Sequence, residues 1–262
     1  MSTATPNPAR PVVEHACQVL AVSPLSKDTY QIELETPAGS TLAYDAGQHL
    51  QLELDVNGDG QYQSLSYSIA NSVNPDQPRR LQLIIQNGSD FAGKILNRLS
   101  DLNDNKANLK VALPMGRAYL QTDLGLPHLL VAAGSGIAKI KAITEEIVRQ
   151  KPDAEVHIYW SNRQADEFYL LDAFQDWAAQ HDNLHFTPIL ESANADWTGR
   201  SGFIYQVIQE DFDALEDVQA YLCGSPQMVY GTIDQLELKG LKEKNCYSDV
   251  FEYAPREQKA RV

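Results

Sequence analysis

The stretch HLLVAAGSGIAKIKAITEEI, residues 128–147, decides the fold of this chain. An apolar run at 129–133 stops at Gly134-Ser135-Gly136, and apolar residues then recur at helical spacing from Ile137. A strand that ends on glycines and turns directly into a helix presents free backbone N–H groups and a positive helix end, and both bind phosphate. The stretch therefore predicts a nucleotide-binding loop. The alternative is that the glycines serve only a backbone turn with positive φ.

Length and charge restrict the classes of protein that fit. The chain has 262 residues, of which 43% are hydrophobic, so it is long enough for two ordinary domains with separate cores. Its formal net charge of −14 repels phosphate backbones and anionic lipid surfaces. We therefore expect neither nucleic acid nor a membrane as a partner, and an anionic ligand must be held by local positive groups.

Cysteine and histidine usage gives no metal site. Cys17, Cys223 and Cys246 are scattered, which fits neither a disulfide framework nor a zinc or iron–sulfur centre, and the six histidines have no metal-like spacing. Free thiols suit a reducing, cytoplasmic location. Residues 55–61, DVNGDGQ, imitate the start of a calcium loop, but its twelfth position is Ser66 instead of glutamate. We expect a hairpin turn there.

The first half of the chain has the pattern of short strands. Apolar and β-branched segments at 17–21, 29–34, 48–54, 66–70, 81–86 and 108–113 are separated by turn residues. One helix is predicted at 90–99, because Phe91, Ile95, Leu96 and Leu99 share a face. Several short strands with close turns favour an antiparallel barrel.

After residue 125 the pattern alternates between strands and helices. Strands are predicted at 129–133, 155–160, 185–190 and 218–223, and helices at 137–150, 171–180, 202–209 and 226–239. This alternation indicates a parallel sheet covered on both faces. Ligands of such sheets lie beyond the carboxyl ends of the strands, where the 134–136 loop and the Cys223-Gly224 turn both fall.

Three motifs carry a family resemblance: LSYSIAN at 65–71, AGSGI at 133–137 and LCGSPQM at 222–228. Over residues 15–253 the chain resembles the ferredoxin–NADP reductase superfamily, and most closely its NAD(P)H:flavin oxidoreductase (flavin reductase) branch, which carries no iron–sulfur domain. Two positions depart from the family pattern. The arginine of the flavin-binding signature is Leu65 here, and the proline that often follows the glycine loop is Lys139.

The resemblance implies a two-domain architecture. It predicts an antiparallel Greek-key β-barrel that binds FAD or FMN at 15–122, followed by a Rossmann-like α/β domain with a parallel sheet that binds NAD(P) at 126–253. Residues 1–14 would be a disordered leader, since they are polar and proline-rich without an apolar core. Residues 254–262 would be a C-terminal tail.

The resemblance also implies an activity, for which alternatives stay open. It predicts a flavoprotein-type oxidoreductase that transfers hydride from C4 of NADH or NADPH to flavin N5, with reduced flavin or electrons passed to an acceptor. One alternative is a reductase component that keeps its flavin and delivers electrons to a protein partner, such as an oxygenase or a ferredoxin. A third is a nucleotide-binding module that has lost turnover, motivated by Leu65 and Lys139.

On the flavin side, the resemblance assigns Tyr67 and Ser68. The phenol ring would stack on the isoalloxazine, and the hydroxyl would donate to N5, where hydride arrives. With Leu65 in place of the arginine, the flavin phosphate lacks its usual clamp, so the flavin is expected to dissociate. Lys94 is either a substitute contact to that phosphate or an ordinary solvated charge. The remaining residues expected at the flavin are Ile69, Gln86 and Gly88.

On the nucleotide side, the glycine loop and the Cys223-Gly224 pair receive the main roles. Gly134, Ser135 and Gly136 would admit the pyrophosphate to the backbone. Cys223 would lie beside the nicotinamide, together with Gly224 and Met228, in a positioning role more than an acid–base role.

Three further residues complete the predicted nucleotide site. Ser161 and Arg163 follow a strand where the adenosine ribose would lie. Arg163 would bind either a 2′-phosphate or a surface carboxylate. Lys139, in the first helical turn, would either contact the pyrophosphate or lie solvated without a ligand contact.

Overall fold

A computed structural model describes residues 10–193 and 196–256. The predicted leader and tail fall mostly outside this part of the chain. The leader prediction is wrong at residues 13 and 14, because the first strand begins at Val13 and pairs from Val13 to Gln18 with a later strand.

The first half folds into a six-stranded antiparallel half-barrel. Its strands are β1 (Val13–Pro24), β2 (Thr29–Glu35), β3 (His49–Leu54), β4 (Gln63–Ser68), β5 (Arg80–Gln86) and β6 (Asn108–Met115). Their order in the sheet is β4-β3-β6-β1-β2-β5, so β4 and β5 form the two edges. The edges approach each other just after β4, where the Ala70 N–H donates to the Gln82 carbonyl at 2.7 Å. The predicted barrel is confirmed in this partly open form.

The half-barrel is held by strands that alternate between core and surface. In β3, Leu50, Leu52 and Leu54 are buried while the residues between them are partly exposed. Fully burying such a side chain contributes about 1.5–3 kcal/mol, so this alternation fixes which face of the strand points inward. Helix α1 (Asp90–Asp104) adds Ile95, Leu96 and Leu99 to the same core.

Helix α1 and the turn between β3 and β4 each test one prediction from the sequence. Phe91 was expected on the buried face of α1, but it is 44% exposed. The turn between β3 and β4 is the expected hairpin. The Asp55 carboxylate accepts the N–H groups of Gly58, Asp59 and Gly60 at 2.8, 3.1 and 2.9 Å, so it stabilises the turn itself.

The second half is a parallel sheet with helices on both faces. Its strands are β7 (His128–Ala133), β8 (Val156–Asn162), β9 (Leu184–Leu190), β10 (Arg200–Ser201), β11 (Gln219–Cys223) and β12 (Cys246–Tyr247), in the order β10-β9-β8-β7-β11-β12. Its helices are α2 (Ile137–Gln150), α3 (Leu171–Gln180), α4 (Ile204–Asp211), α5 (Pro226–Leu236) and α6 (Val250–Tyr253). We call this part the α/β half.

The continuous apolar run of β7 reflects its central position. Leu130 and Ala132 pack on the side of α2 and α3, whereas Leu129 and Val131 pack on the side of α4 and α5. Both faces of the strand are therefore buried, as the sequence predicts. The helix predicted at 202–209 instead begins at Ile204, because Gly202 has a φ of +112°.

The two halves meet through the segment between β6 and β7. There the Leu120 N–H donates to the Ala46 carbonyl at 2.8 Å. The proposed domain boundary at 122–126 falls within this segment and stays a prediction. Among the described residues, we find no helix with the length and apolar character needed to span a membrane.

Candidate nucleotide and flavin site

The glycine loop joins β7 to α2, and its two glycines serve different purposes. Gly134 has a φ of +54°, and a Cβ built there would meet no atom within 4 Å. A Cβ on Gly136 would lie 2.5 Å from the Cys223 carbonyl oxygen. The loop therefore leaves open space at Gly134. At Gly136, the absence of a side chain allows the end of β11 to pack directly against the loop. Cys223 therefore gives a packing reason for glycine at position 136, and the expectation that both glycines admit a pyrophosphate stays a prediction.

A cleft runs along the carboxyl edge of the parallel sheet. Its first part, about 360 Å³, reaches from Gln86 on the half-barrel across the loop to the ends of β8 and β9. Six residues predicted from the sequence line it: Gln86, Gly134, Ser135, Ser161, Arg163 and Met228. A second part, about 530 Å³, shares Ser161 and Met228 and extends to Phe203. The fold thus gathers residues that lie far apart in the sequence.

Two helices begin at this cleft. Helix α2 follows the glycine loop, whose Gly134 carbonyl is fixed by a hydrogen bond from Trp160 Nε1 at 2.9 Å. Helix α5 is capped by Ser225, whose hydroxyl accepts the Met228 N–H at 3.2 Å. Because β7 and β11 are neighbours in the sheet, both positive helix ends face the same region. These ends supply local attraction for a pyrophosphate in a chain with a formal charge of −14.

The far end of the cleft contains two residues that the sequence analysis missed. Glu191 follows β9 directly, and its Oε2 lies 3.8 Å from Arg163 Nε. Phe203 is 65% exposed and stacks on Tyr205 with ring centroids 5.5 Å apart. Both follow strands of the parallel sheet at their carboxyl ends, a position that could have identified them. Arg163 therefore has the surface carboxylate contact that was one of its two alternatives, and its contact to a 2′-phosphate stays a prediction.

The flavin-side motif lies on the edge strand β4. Tyr67 and Ser68 are half-buried, and burial raises the pKa of the Tyr67 phenol. Ser68 pairs directly with His49 on β3, so the two side chains share a face of the sheet. Tyr67 packs partly against the half-barrel core, and as its neighbour in the strand Ser68 points to the other face of the sheet. The predicted role of both residues remains a prediction.

The surroundings of this motif offer little to a flavin phosphate. Leu65 is an apolar side chain that packs partly against the half-barrel core, so this position supplies no positive charge to a phosphate. Asp90 places a carboxylate in the first turn of α1, and Gly88 beside it is exposed with open space around its Cα. Lys94 Nζ donates to Asn57 Oδ1 in the β3–β4 turn at 3.1 Å. The residues present therefore fit the ring of a flavin better than its phosphate.

Ile69 requires a correction. It was expected among the cofactor-binding residues, but its side chain is completely buried in the half-barrel core. Its N–H donates to the Gln48 carbonyl at 3.1 Å. The side chain therefore belongs to core packing, and a cofactor contact from the Ile69 backbone carbonyl stays a prediction.

Cys223 and Gly224 end β11 beside the glycine loop. Burial raises the pKa of the Cys223 thiol to about 12, so the thiol is protonated near neutral pH. This favours a positioning role over acid–base chemistry. A Cβ on Gly224 would collide with Met228 Cε and would lie 3.3 Å from Ala133 Cβ. Met228 therefore packs across Gly224 and covers the end of the strand.

Lys139 contradicts both of its predicted roles. It is only 2% exposed, so it is not a solvated lysine. Its Nζ donates to Asp249 Oδ2 at 2.5 Å and to the Ala118 carbonyl at 3.1 Å, which directs it into the protein instead of toward the cleft. The sequence placed Lys139 correctly in the first turn of α2, but neither partner is close to it in the sequence.

Cys17, Cys223 and Cys246 are all free thiols. Among the described residues, we find no cluster of three or more His, Cys, Asp or Glu side chains that could hold a metal ion.

Comparisons with known proteins agree with this architecture. The family model of the oxidoreductase NAD-binding domain matches residues 130–233. Protein RfbI of Salmonella typhimurium is 30% identical over 238 residues, which cover 90% of this chain and 67% of that protein. The NAD(P)H-flavin reductase of Vibrio harveyi is 26% identical over 239 residues, covering 90% of this chain and 98% of the reductase.

A solved structure extends the likeness to both halves together. The Amycolatopsis cytochrome P450 reductase GcoB superposes with a TM-score of 0.77 at 25% identity, covering 92% of this chain and 70% of that one. The chain therefore belongs to the ferredoxin–NADP reductase superfamily. Within that superfamily it is related to the flavin reductase branch, one member of which it matches over nearly its whole length.

Proposed function

We propose that this protein is an NAD(P)H:flavin oxidoreductase, in which hydride passes from nicotinamide C4 to flavin N5. The observation that carries the proposal is the cleft that runs from Gln86 on the half-barrel to the glycine loop and Met228 on the α/β half. Gln86 brings the half-barrel to the edge of this cleft, so a flavin held on the half-barrel would lie next to a nucleotide held on the α/β half. Such a site gains rate mainly by orienting the reactants and excluding water.

The residues of this chain have distinct proposed tasks in that reaction. On the half-barrel, Tyr67 stacks on the flavin ring and Ser68 donates its hydroxyl proton in a hydrogen bond to N5. On the α/β half, Ser135 and the open backbone at Gly134 hold the pyrophosphate, aided by the start of α2. Cys223 packs beside the nicotinamide as a neutral thiol.

We propose further that the flavin is a dissociable substrate. Leu65 supplies no charge, and Asp90 adds a negative one at the start of α1. An arginine–phosphate hydrogen bond contributes about 1.5–3 kcal/mol, so its absence weakens FMN and FAD by about tenfold to a hundredfold. Riboflavin, which has no phosphate, then competes nearly as well as FMN.

The second candidate is a reductase that keeps its flavin and passes electrons to a protein partner. The likeness to a cytochrome P450 reductase over 92% of this chain favours it. The formal charge of −14 argues for a partner with a basic docking surface, since an acidic ferredoxin would be repelled. For either candidate we propose a cytoplasmic location, because all three cysteines are free thiols.

Two simple measurements separate the candidates. The visible absorbance of the purified protein reports whether flavin co-purifies, and NADH oxidation is then followed with and without added flavin. A colourless protein that oxidises NADH only when flavin is added supports the flavin reductase. A yellow protein with dialysis-resistant flavin supports the second candidate. If the protein oxidises neither NADH nor NADPH, with or without added flavin, both enzyme candidates fail and a nucleotide-binding module without turnover is the remaining candidate.

A further inference from the structure

Lys139 and Asp249 form a buried ion pair where the two halves of the molecule meet. The side chain of Lys139 is 3% exposed and that of Asp249 is 28% exposed, and their charged atoms are 2.5 Å apart. We propose that this pair is a positioning device that seats the half-barrel against the α/β half at the spacing required for hydride transfer. This inference rests on the proposed function.

One ammonium group joins three separate segments. Lys139 lies in the first turn of α2, directly after the glycine loop. Its Nζ binds the Ala118 carbonyl, in the segment that leaves the half-barrel, and the carboxylate of Asp249, which begins α6. The same connecting segment is held a second time, because the Arg117 N–H donates to the Glu252 carboxylate at 2.7 Å. Loss of Lys139 would therefore loosen the connection between the halves.

The pair also lies close to the groups assigned to the reaction. Gly136, three residues before Lys139, is in contact with Cys223. The charges of Lys139 and Asp249 both act on the pKa of the Cys223 thiol, the first lowering it and the second raising it. The pair thus lies beside the nicotinamide side of the site.

On the other side, Asp249 lies next to the turn that follows β6 of the half-barrel. Gly116 has a φ of +88°, and a Cβ there would lie 3.3 Å from Asp249 Oδ1 and 2.7 Å from His49 Nδ1. His49 in turn pairs across the sheet with Ser68. The ion pair therefore lies between Cys223 on one half and the strand pair that carries Ser68 on the other.

A positioning role predicts a different kinetic effect from a direct ligand contact. Misplacement of reacting groups by about 1 Å lowers a rate by up to about a hundredfold, whereas loss of a phosphate contact mainly raises the Michaelis constant. Lys139→Met should therefore lower the limiting rate of flavin reduction by about tenfold to a hundredfold. The NADH concentration for half-maximal rate should change less than about threefold.

Single-turnover reduction of riboflavin by NADH, under anaerobic conditions, measures both quantities. Lys139→Arg retains the charge and should recover part of the rate. Lys110→Met is the matched control, because Lys110 makes ion pairs with Glu14 and Glu53 on the exposed face of the half-barrel. It should behave as the parent does.

Lys139→Met alone leaves the Asp249 carboxylate without its partner, which could itself destabilise the protein, and a double variant avoids this. Lys139→Met combined with Asp249→Leu leaves no such charge, so it should fold and yet retain the low rate. Recovery of the parent rate in the double variant would overturn the proposal. So would a raised half-saturating NADH concentration with an unchanged rate, which would assign Lys139 to the dinucleotide.

A second readout needs no activity. In ligand-free protein, alkylation of Cys223, identified on its proteolytic peptide, should be faster in the Lys139→Met, Asp249→Leu double variant than in the parent or Lys110→Met, because the junction beside the thiol opens while both charges that act on its pKa are removed. Equal labelling in all three proteins would overturn the proposal. If the parent itself reduces no flavin, the proposed function fails, but this labelling result still decides whether the pair holds the junction closed.

Discussion

Substitution of Gly136 by alanine tests the geometry of the candidate site. The added Cβ would lie 2.5 Å from the carbonyl oxygen of Cys223 and 2.9 Å from its Cβ, and these atoms lie at the end of strand β11, where they cannot rotate away as the tip of a long side chain could. Overpacking of this kind costs about 1–3 kcal/mol. For a protein of this size, that corresponds to a decrease in melting temperature of about 2–12 °C.

The same clash should slow catalysis, because the strand end that must move carries Cys223. A displacement of about 1 Å beside the nicotinamide is expected to lower the turnover number by up to about a hundredfold. The Michaelis constant for NADH should change less, since the open part of the loop around Gly134 is untouched.

Gly134→Ala is the matched control within the same loop. Its Cβ would meet no atom within 4 Å, but its φ of +54° disfavours alanine. We expect a stability loss of about 1 kcal/mol, the left-handed strain less the reduced entropy of the unfolded chain. Because Gly134 lines the cleft, its added methyl group should raise the Michaelis constant for NADH with a smaller change in turnover.

Thermal unfolding and steady-state NADH oxidation measure these effects in parallel for the two variants. The reasoning would be refuted by a Gly136→Ala variant with the melting temperature and turnover number of the parent. Identical kinetic changes in both variants would also refute it, because the two glycines would then serve the same purpose.

Other positions give independent tests. Leu65→Arg should tighten FMN binding by about tenfold to a hundredfold and leave riboflavin unchanged in equilibrium titrations, and equal effects on both flavins would contradict the missing phosphate clamp. Ser68→Ala should lower the single-turnover rate of flavin reduction by about tenfold to a hundredfold, while Cys223→Ala should be milder; an unchanged rate in Ser68→Ala removes the N5 assignment. Burial lowers the pKa of His128 from 6.5 to about 4 in the folded protein. As the pH falls, this imidazole is therefore protonated at a higher pH in the unfolded chain than in the folded one. The free energy of unfolding should therefore drop by about 3 kcal/mol between these pH values, and chemical denaturation of His128→Gln should show that this drop is lost.

Features set by local chemistry could be predicted from the sequence. The glycine loop between β7 and α2 was identifiable because glycines end an apolar run just where helical spacing begins. The hairpin after β3 was identifiable because its glycines and Asp55 suit a tight turn. The buried character of β7 on both faces followed from its unbroken apolar run.

Features set by distant partners could not be predicted. Lys139 is directed inward by Ala118 and Asp249, which lie 21 and 110 residues away in the sequence. The reason for glycine at position 136 depends on the path of β11, which no local pattern reveals. Strand β12 and helix α6 span only two and four residues, too few for a periodic pattern, so the segment that carries Asp249 was missed.

The most direct test of the proposed reaction is an anaerobic titration of riboflavin with NADH, and in parallel with NADPH, in the presence of the purified protein. Loss of the visible flavin absorbance and loss of the reduced nicotinamide absorbance are recorded together. We expect at least one of the two nucleotides to bleach the flavin, with one nucleotide oxidised for each flavin reduced. A flavin that keeps its colour with both nucleotides, whether added or bound to the protein, would contradict the proposed reaction.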